Sequence, residues 1–462
     1  ATAVVNIDVL PETLRVTSLE AQSDGFTATF NGPINLSTLN VYSGEAIGID
    51  PADVIVVGDA NGVISGSLLV QPDAGTIRFL ATGGPLLPDV YTVQLRSGID
   101  GFVSQDGGQL DGNEDSVAGD NYSAQFSVSA PIGVSVSLPS FARGPGQDVD
   151  VPATGNGIPL EISDGTGVNS VSLTLNYDPN LLTINSVVAS PSAPADLVVN
   201  SDLSVAGVVT LSVSSATGFI PGRSDFVSIN ATVPFDAAYQ ATQILDIQNL
   251  VINGGAIQGV DADGLQVVAY LGDASGNAQY SDIDSQLMVP VVNDTATGFG
   301  AFPLVDPLVL ADANYDGRIT SIDRLIVLQE VYGVDRPEIP AIPEPPMAGL
   351  AETTDEQIVQ AAVALTGAAE VPQSTTLVIE TQEYAIAEEV PVEAGAAIVP
   401  ASIDSLPAGT QQDTDDEPVP VGTSTAREAS KVRQAAATPV IVMEESVETE
   451  TRDTNVNELS LL

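Results

Sequence analysis

The stretch VSLTLNYDPNLL, residues 171–182, alternates apolar and polar side chains over its first five positions and then turns at an Asp-Pro-Asn sequence. Strict alternation puts every second side chain on the same face of an extended chain, so it predicts a half-buried β-strand followed by a turn. Residues 134–138 show the same alternation, and so do the last five residues of the predicted strand 208–213. Residues 131–271 are therefore predicted to form an all-β domain.

The residues that precede this domain show the same alternation and the same frequent turn residues. Residues 26–30 and 91–95 alternate, and Gly, Pro, Asp and Asn recur at short intervals, as they do in a β-sandwich. The predicted fold class is mainly β, with two tandem β-sandwiches at residues 1–130 and 131–271.

Composition excludes several classes of function. The chain has 12 Lys and Arg against 61 Asp and Glu, a formal net charge of −49, which repels nucleic acid and anionic lipid. Because it has neither Cys nor His, it lacks the Ser-His-Asp triad, the Cys-His dyad, ordinary zinc sites and disulfides. No apolar run approaches the roughly 20 residues of a membrane span. We expect no enzyme, and an Asp-rich secreted chain without disulfides is expected to use calcium as its staple instead.

The strongest chemical signal is DANYDGRITSID, residues 312–323, here named loop C. Calcium takes six to eight hard oxygens, and a 12-residue loop supplies them from side chains at positions 1, 3, 5 and 12 and from a backbone carbonyl at position 7. Gly317 at position 6 permits the sharp turn. The alternative is an Asp-Gly turn before a helix. The predicted ligands are Asp312, Asn314, Asp316, the carbonyl of Arg318, and Asp323.

A second such loop, loop B, covers residues 273–284. It offers two carboxylates against three in loop C, and Ala278 stands where glycine is expected, so it is predicted to bind calcium more weakly. The alternative is a loop that binds no metal. Its predicted ligands are Asp273, Ser275, Asn277, the carbonyl of Gln279, and Asp284.

A third acidic loop, loop A, covers residues 111–120 in the first domain. Asp111, Asn113 and Asp115 repeat the spacing of positions 1, 3 and 5, and Asp120 is the candidate that closes the shell. No helix is predicted after it, and the alternative is a polar hairpin. Asp261 and Asp263 are predicted to mark only a turn.

Each of loops B and C is followed by an apolar run of helical length. The first run extends from Ile283 to Val292 and is expected to be interrupted by Pro290. The second extends from Ile322 to Tyr332, with Leu325, Leu328 and Val331 predicted roughly on one face.

Residues 337–462 differ from the rest of the chain in composition. They begin with a Pro-rich run, contain none of the eleven Phe residues, and are rich in Glu, Ala, Pro, Thr and Val. This composition predicts a Pro-rich linker followed by a disordered acidic tail. The chain begins at Ala1 without an initiator Met, and we expect it to be a mature product or a fragment.

Three of these segments resemble known protein families. Two Asp loops, each followed by one helix, make residues 272–336 resemble a dockerin module of type I, which implies calcium-dependent folding and a cohesin partner. Dockerins of cellulosomes often carry a hydroxyl pair at loop positions 10 and 11, where this chain has Asp282-Ile283 and Ser321-Ile322. Residues 131–271 resemble a cohesin in the runs 136–139, 171–182 and 229–233. Residues 1–130 resemble a bacterial Ig-like surface-protein domain in the runs 25–34, 37–42 and 88–93.

Together these features predict a calcium-binding structural, adhesion or scaffold module that is secreted or displayed on a cell surface. Its dockerin-like unit would pack with a cohesin-like domain, either in cis or in trans, and an extracellular or cell-surface polysaccharide is a possible further partner. Two alternatives remain open: the non-catalytic C-terminal region of a secreted polysaccharide-degrading enzyme, or that of a type I secreted toxin-like protein.

Overall fold

A computed structural model describes residues 12–44, 48–130 and 133–344 of the 462-residue chain. It confirms the mainly β fold class, because strands dominate the described residues and helices are few. The prediction of a disordered acidic tail falls on residues that, beyond 344, lie outside the described part.

The first sandwich consists of two four-stranded antiparallel sheets whose strand orders are β1-β2-β6-β5 and β4-β3-β7-β8. In β2, the side chains of Phe26, Ala28 and Phe30 are buried while the threonines between them are partly exposed, as the alternation predicted. Side chains from both sheets share one core. The strands are β1 Val16–Gln22, β2 Gly25–Phe30, β3 Val54–Gly58, β4 Gly62–Val63, β5 Gly66–Gln71, β6 Thr76–Ala81, β7 Asp89–Leu95 and β8 Tyr122–Val128.

The second sandwich has a six-stranded sheet, β10-β19-β17-β12-β15-β14, and a five-stranded sheet, β13-β16-β11-β9-β18. Its core includes Val171, Leu173 and Leu175, the buried half of the alternating stretch. The strands are β9 Val134–Ser137, β10 Phe141–Ala142, β11 Ile158–Ile162, β12 Ser170–Asn176, β13 Thr183–Ala189, β14 Val198–Val205, β15 Val208–Ser214, β16 Ser224–Thr232, β17 Thr242–Ile252, β18 Gly259–Ala262 and β19 Gly264–Val267.

Near each end of this domain the chain crosses from one sheet to the other. The chain leaves the five-stranded sheet after β9 and joins the six-stranded sheet as β10, and β18 and β19 make the same change on either side of Asp263. In each sheet the first and last strands pair in parallel, β9 with β18 and β10 with β19. Because both pairs are parallel, the domain begins beside the start of β18 and ends beside the end of β10, at opposite ends of the paired strands.

The helical segment, residues 272–336, follows. It contains α1 Asp282–Val292, α2 Pro307–Ala311 and α3 Ser321–Val331, and α1 packs against α3. Ser281 and Thr320 are the N-caps of the two longer helices, and each forms a capping box with the acidic residue three positions later, Asp284 or Asp323. The last acidic residue of each predicted calcium loop therefore also fixes the start of a helix.

One detail predicted for these helices was wrong. Helix α1 continues through Pro290, which lies two residues before the helix ends, so the hydrogen bond lost with its missing N–H affects only the last turn. The buried face of α3 consists of Asp323, Ile326 and Val327, while Leu325 is exposed. Packing against α1 and the neighbouring domain selects the face that carries the loop carboxylate.

A third hydrophobic core joins all parts of the described chain. It combines Leu80 of the first sandwich, Val267 of the second, Leu310 and Val327 of the helices, and Ile339 from the Pro-rich run. Backbone hydrogen bonds reinforce the contact with the first sandwich, for example from the Leu68 amide to the Leu304 carbonyl at 2.8 Å. The helical segment is thus embedded between the two sandwiches.

The two sandwiches also meet directly, through a cluster of carboxylates around one arginine. Arg78 bonds Asp24 of its own sandwich and lies 3.7 Å from the carboxylate of Asp263 in the second sandwich. The Asp263 backbone N–H donates to Asp24 at 2.8 Å, and Ser23 donates to the Asp261 carbonyl at 2.6 Å. The Asp261–Asp263 turn is therefore part of an inter-domain contact.

The stability that this contact contributes is expected to fall as the pH rises, and Asp263→Asn should abolish this pH dependence. Burial raises the pKa of Asp263 to about 7; the Asp24 and Asp246 charges add to the shift and Arg78 opposes it. A raised carboxyl pKa means that the stabilisation is complete below the unfolded value near 3.8 and is lost as pH rises through about 7. The stability difference between Asp263→Asn and the unchanged protein should therefore grow by about 4 kcal/mol between pH 4 and pH 8.

Urea unfolding at a series of pH values measures that difference. Asp59→Asn, which removes the same charge from an exposed turn, is the matched control and should show a difference close to zero at every pH. A gain for Asp263→Asn that is the same at pH 4 and pH 8 would contradict the assignment.

Candidate calcium loops and the domain contact they form

Loop C holds its acidic side chains inward with its own backbone amides. Asp312 accepts from the N–H groups of Asp316 at 3.1 Å and Gly317 at 2.8 Å. At the far end, Asp323 accepts from the Asn314 N–H at 3.2 Å and also caps α3. Positions 1, 3, 5 and 12 of the predicted loop are therefore tied into one hydrogen-bonded ring.

The predicted carbonyl ligand lies in the same ring. The N–H of Arg318 donates to Asp316 Oδ1 at 3.0 Å, which closes the turn around position 6. Gly317 at that position has φ 81°, and a Cβ there would meet nothing within 4 Å. The glycine is therefore needed for its left-handed backbone and not for space.

Loop B repeats this arrangement with different side chains. Asp273 accepts from the amides of Gly276 (2.8 Å), Asn277 (3.2 Å) and Ala278 (2.7 Å), and from the Ser275 hydroxyl (3.0 Å). Two further bonds match loop C: Asp284 accepts from the Ser275 N–H at 2.9 Å, and Asn277 accepts from the Gln279 N–H at 2.9 Å. The structure therefore brings all five predicted loop B residues into one turn. Ala278 adopts φ 62°, so the substitution of the expected glycine is tolerated at the cost of some backbone strain.

Loop A, between β7 and β8, has the same conformation over its first seven positions. Asp111 accepts from the amides of Asp115 (3.1 Å) and Ser116 (2.9 Å), and Asn113 accepts from Asp115 (3.0 Å), as in loop C. Glu114 and Ser116 have φ 62° and 72°, matching positions 4 and 6 of the other loops. Asp120 returns beside Asp111 as its partner in a parallel β-bridge. No helix follows loop A, as predicted.

The charge of these loops is partly desolvated. Burial raises the pKa of Asp312, the amides of Gly317 and Asp316 oppose the shift, and the neighbouring Asp323 and Asp316 charges add to it. Among the described residues, no three acidic side chains converge closely enough to hold a metal ion as they stand. All the donors are hard oxygens, which is the chemistry calcium prefers, and the carboxylates would have to draw inward around the ion.

Loops B and C both contact the second sandwich. Tyr239, in the turn between β16 and β17, donates its hydroxyl to Asp273 Oδ2 at 2.5 Å. Gln240 also donates to the Gly276 carbonyl of loop B at 3.4 Å. In loop C, the Tyr315 hydroxyl donates to the Ser140 carbonyl at 3.3 Å. Sequence reasoning missed Tyr239 because nothing local distinguishes it from any other turn tyrosine.

The Pro-rich run closes over this contact. The strap, residues 336–341, buries Ile339 in the third core. The buried Gln147 of the second sandwich donates to the carbonyls of Pro340 (2.8 Å) and Ala341 (3.0 Å), and Tyr280 of loop B donates to Pro340 at 3.3 Å. Both N–H groups of the Gln147 side-chain amide therefore donate to carbonyls of the strap.

The helical segment also carries exposed apolar side chains. Ile283 and Ile322 occupy position 11 of loops B and C, and they are 54% and 56% exposed. Leu325 and Tyr332 are also exposed on α3 and at its end. Within the described residues, nothing covers these four side chains.

Comparison with known proteins identifies the second sandwich. Residues 134–265 match the Cohesin domain family. Solved structures similar to this region include a non-cellulosomal cohesin from Archaeoglobus fulgidus (16% identity, covering 29% of this chain and 89% of that chain, TM-score 0.25) and a type I cohesin from Pseudobacteroides cellulosolvens (18%, 30% and 92%, 0.25). A type I cohesin–dockerin complex from Clostridium thermocellum is another (14%, 30% and 96%, 0.25). No curated protein matches the chain.

The chain therefore contains a cohesin domain, as predicted, in its second sandwich. Cohesin domains are non-catalytic modules that bind dockerins, and they are typically found in extracellular or surface scaffolds. None of the helices in the described residues is long and apolar enough to cross a membrane. The Ig-like and dockerin resemblances of the flanking segments stay predictions.

Proposed function

We propose that this chain is a non-catalytic, calcium-binding module of an extracellular or cell-surface scaffold, in which a dockerin-like helical segment packs in cis against the cohesin domain. The observation that carries the proposal is the position of loops B and C, which face the cohesin domain and contact it through Tyr239, Gln240 and Ser140. Calcium bound in these loops would stabilise the helical segment and the surface it presents to that domain.

The calcium ligands follow from the hydrogen-bonded loops. Loop C would use Asp312, Asn314, Asp316, the Arg318 carbonyl and Asp323, and loop B would use the residues in the same positions. Loop A would use Asp111, Asn113, Asp115 and Asp120. When bound, the ion supplies the positive charge that lets several carboxylates lie close together. The amides of the loop orient those carboxylates in advance, which lowers the cost of closing the loop around the ion.

The in-cis packing is supported by the third core and the strap. Ile339, Leu310 and Val267 come from three segments and share one apolar cluster. A helical segment of 65 residues (336 − 272 + 1 = 65) buries a small core of its own, and domains below about 70–80 residues usually need a further staple. The cohesin domain, the strap and calcium would together provide it.

A partner in trans is the second candidate, and the exposed helical face favours it. Ile283, Ile322 and Leu325 lie on a face that the in-cis packing leaves uncovered. Exposed apolar side chains clustered on one face are characteristic of binding surfaces. The protein could therefore keep its cis contact and bind a separate cohesin through that face. Binding of polysaccharide stays a prediction without a site assigned to it.

Calcium titration of the intact chain by isothermal calorimetry tests the proposed function. We expect saturable binding, with loop C tighter than loop B because three carboxylates against two favour the ion. Asp273→Ala should remove the weaker event and leave the tighter one, and Asp111→Ala reports on loop A in the same way. Asp59→Ala, which removes one charge from an exposed turn, is the control. Absence of calcium binding to the unchanged protein would refute the proposal.

A further inference from the structure

The first ligand position of loop B is bonded by a side chain from another domain. The hydroxyl of Tyr239 in the cohesin domain donates to Asp273 Oδ2 at 2.5 Å, and the same oxygen of Tyr239 accepts from the Tyr270 N–H at 3.0 Å. Asp273 is completely buried at this contact. Asp273 is therefore held from one side by its own loop and from the other by the cohesin domain.

The direction of this hydrogen bond is fixed by its surroundings. The Tyr270 N–H can only donate, so the Tyr239 oxygen accepts there and has its own proton left for Asp273. Burial, followed by the bond to Asp273, raises the pKa of Tyr239 far above its usual range, so the phenol stays protonated. A neutral donor aimed at a carboxylate steadies that group; Asp273 also accepts four bonds within its own loop, and a metal ion would have to displace some of these.

Loops A and C lack such a contact among the described residues. Asp312 and Asp111 accept hydrogen bonds only from amides of their own loops. Loop C reaches the cohesin domain through Tyr315, which is not among its predicted ligands. The domain contact at a ligand position is thus specific to the loop that has fewer carboxylates and a strained alanine at position 6.

We propose that Tyr239 is a positioning residue for calcium in loop B, so that the cohesin domain completes this site from outside the loop. This inference rests on the proposed function, because it takes loop B to bind calcium. Groups that orient a metal ligand typically change metal affinity 10–100-fold when removed. Coupling between two binding events is reciprocal, so calcium in loop B must also tighten the packing of the helical segment on the cohesin domain.

The proposal also gives a role to a loop B that has only two carboxylates. A loop with two carboxylates responds to calcium only when the cohesin domain is in place, whereas loop C carries enough charge to bind on its own. Calcium in loop C would then stabilise the fold of the helical segment. Calcium in loop B would stabilise its packing against the cohesin domain.

Hydrogen–deuterium exchange of the intact protein across a calcium titration tests this inference. Peptides from loops B and C give separate calcium midpoints in the same molecule, so loop C is an internal control for folding. Tyr239→Phe should move the loop B midpoint to 10–100-fold higher calcium and leave the loop C midpoint unchanged. Calcium-induced protection of the cohesin segment 139–147 should fall in the same variant.

Tyr270→Phe is the matched control. It removes a hydroxyl from the same contact, one that donates to the Pro145 carbonyl at 3.2 Å, but it leaves Asp273 and its bonds untouched. A purely structural role for Tyr239 would make the two variants alike, or would shift both loops together, and either result overturns the proposal. If loop B of the unchanged protein shows no response to calcium, the assignment of this loop fails before any variant is compared, and the inference fails with it.

Discussion

The Asp312→Ala variant is expected to lose the tighter calcium-binding event and to destabilise the helical segment more than any other single loop substitution. Asp312 holds position 1 of loop C and accepts the amides of Asp316 and Gly317, so its removal takes away a ligand and leaves two turn amides without their acceptor. Leaving a buried donor without its acceptor typically costs about 1–3 kcal/mol. The loss of one of three carboxylate ligands lowers the calcium affinity of loop C in addition.

Isothermal calorimetry and thermal unfolding of the intact chain in calcium measure both effects. Asp335→Ala is the matched control, because it removes the same charge from an exposed position just after α3 and should leave both quantities unchanged. If Asp312→Ala retains the tight event, loop C is not the site that folds this segment.

The Ile339→Ala variant is expected to destabilise the protein by about 2–4 kcal/mol, as is usual for truncating a fully buried isoleucine. Ile339 is 2% exposed and packs in the third core beside Val327, although it lies in a run that composition identified as a linker. Its loss leaves a cavity at the point where the strap closes over the helices. The two neighbouring carbonyls on Gln147 would then be held less firmly.

Urea unfolding followed by circular dichroism checks this second prediction. Ile342→Ala offers a control within the same run, since Ile342 is 37% exposed and its truncation should cost less than about 0.5 kcal/mol. Equal effects of the two substitutions would mean that the strap does not pack against the helices in solution.

Much of the fold could be predicted from local pattern. Alternation identified β2, β7, β9, β12 and β15, because one buried face imposes a period of two. The spacing of oxygen-bearing side chains identified loops B and C, and the apolar runs behind them identified α1 and α3. These features are encoded within about a dozen consecutive residues each.

The contacts between segments could not be predicted, because they join residues far apart in sequence. Alternation indicates that a strand has a buried face but not which strand lies beside it, so the sheet changes at β9–β10 and β18–β19 left no signal. The Arg78–Asp263 contact and the Tyr239–Asp273 bond link residues 185 and 34 positions apart, respectively (263 − 78 = 185; 273 − 239 = 34). The burial of Ile339 could not be predicted either, since a single apolar residue among prolines shows no periodicity.

The central claim is that calcium holds the helical segment against the cohesin domain within one chain, and an intramolecular distance measurement tests it most directly. The chain has no cysteine, so Thr210→Cys on β15 and Gln286→Cys on α1, both at exposed positions, place two spin labels without interference. With calcium, the distance distribution between the labels should be narrow, and excess chelator should broaden it. A broad distribution in calcium would contradict the in-cis packing, and a narrow one in chelator would show that calcium is not what holds it.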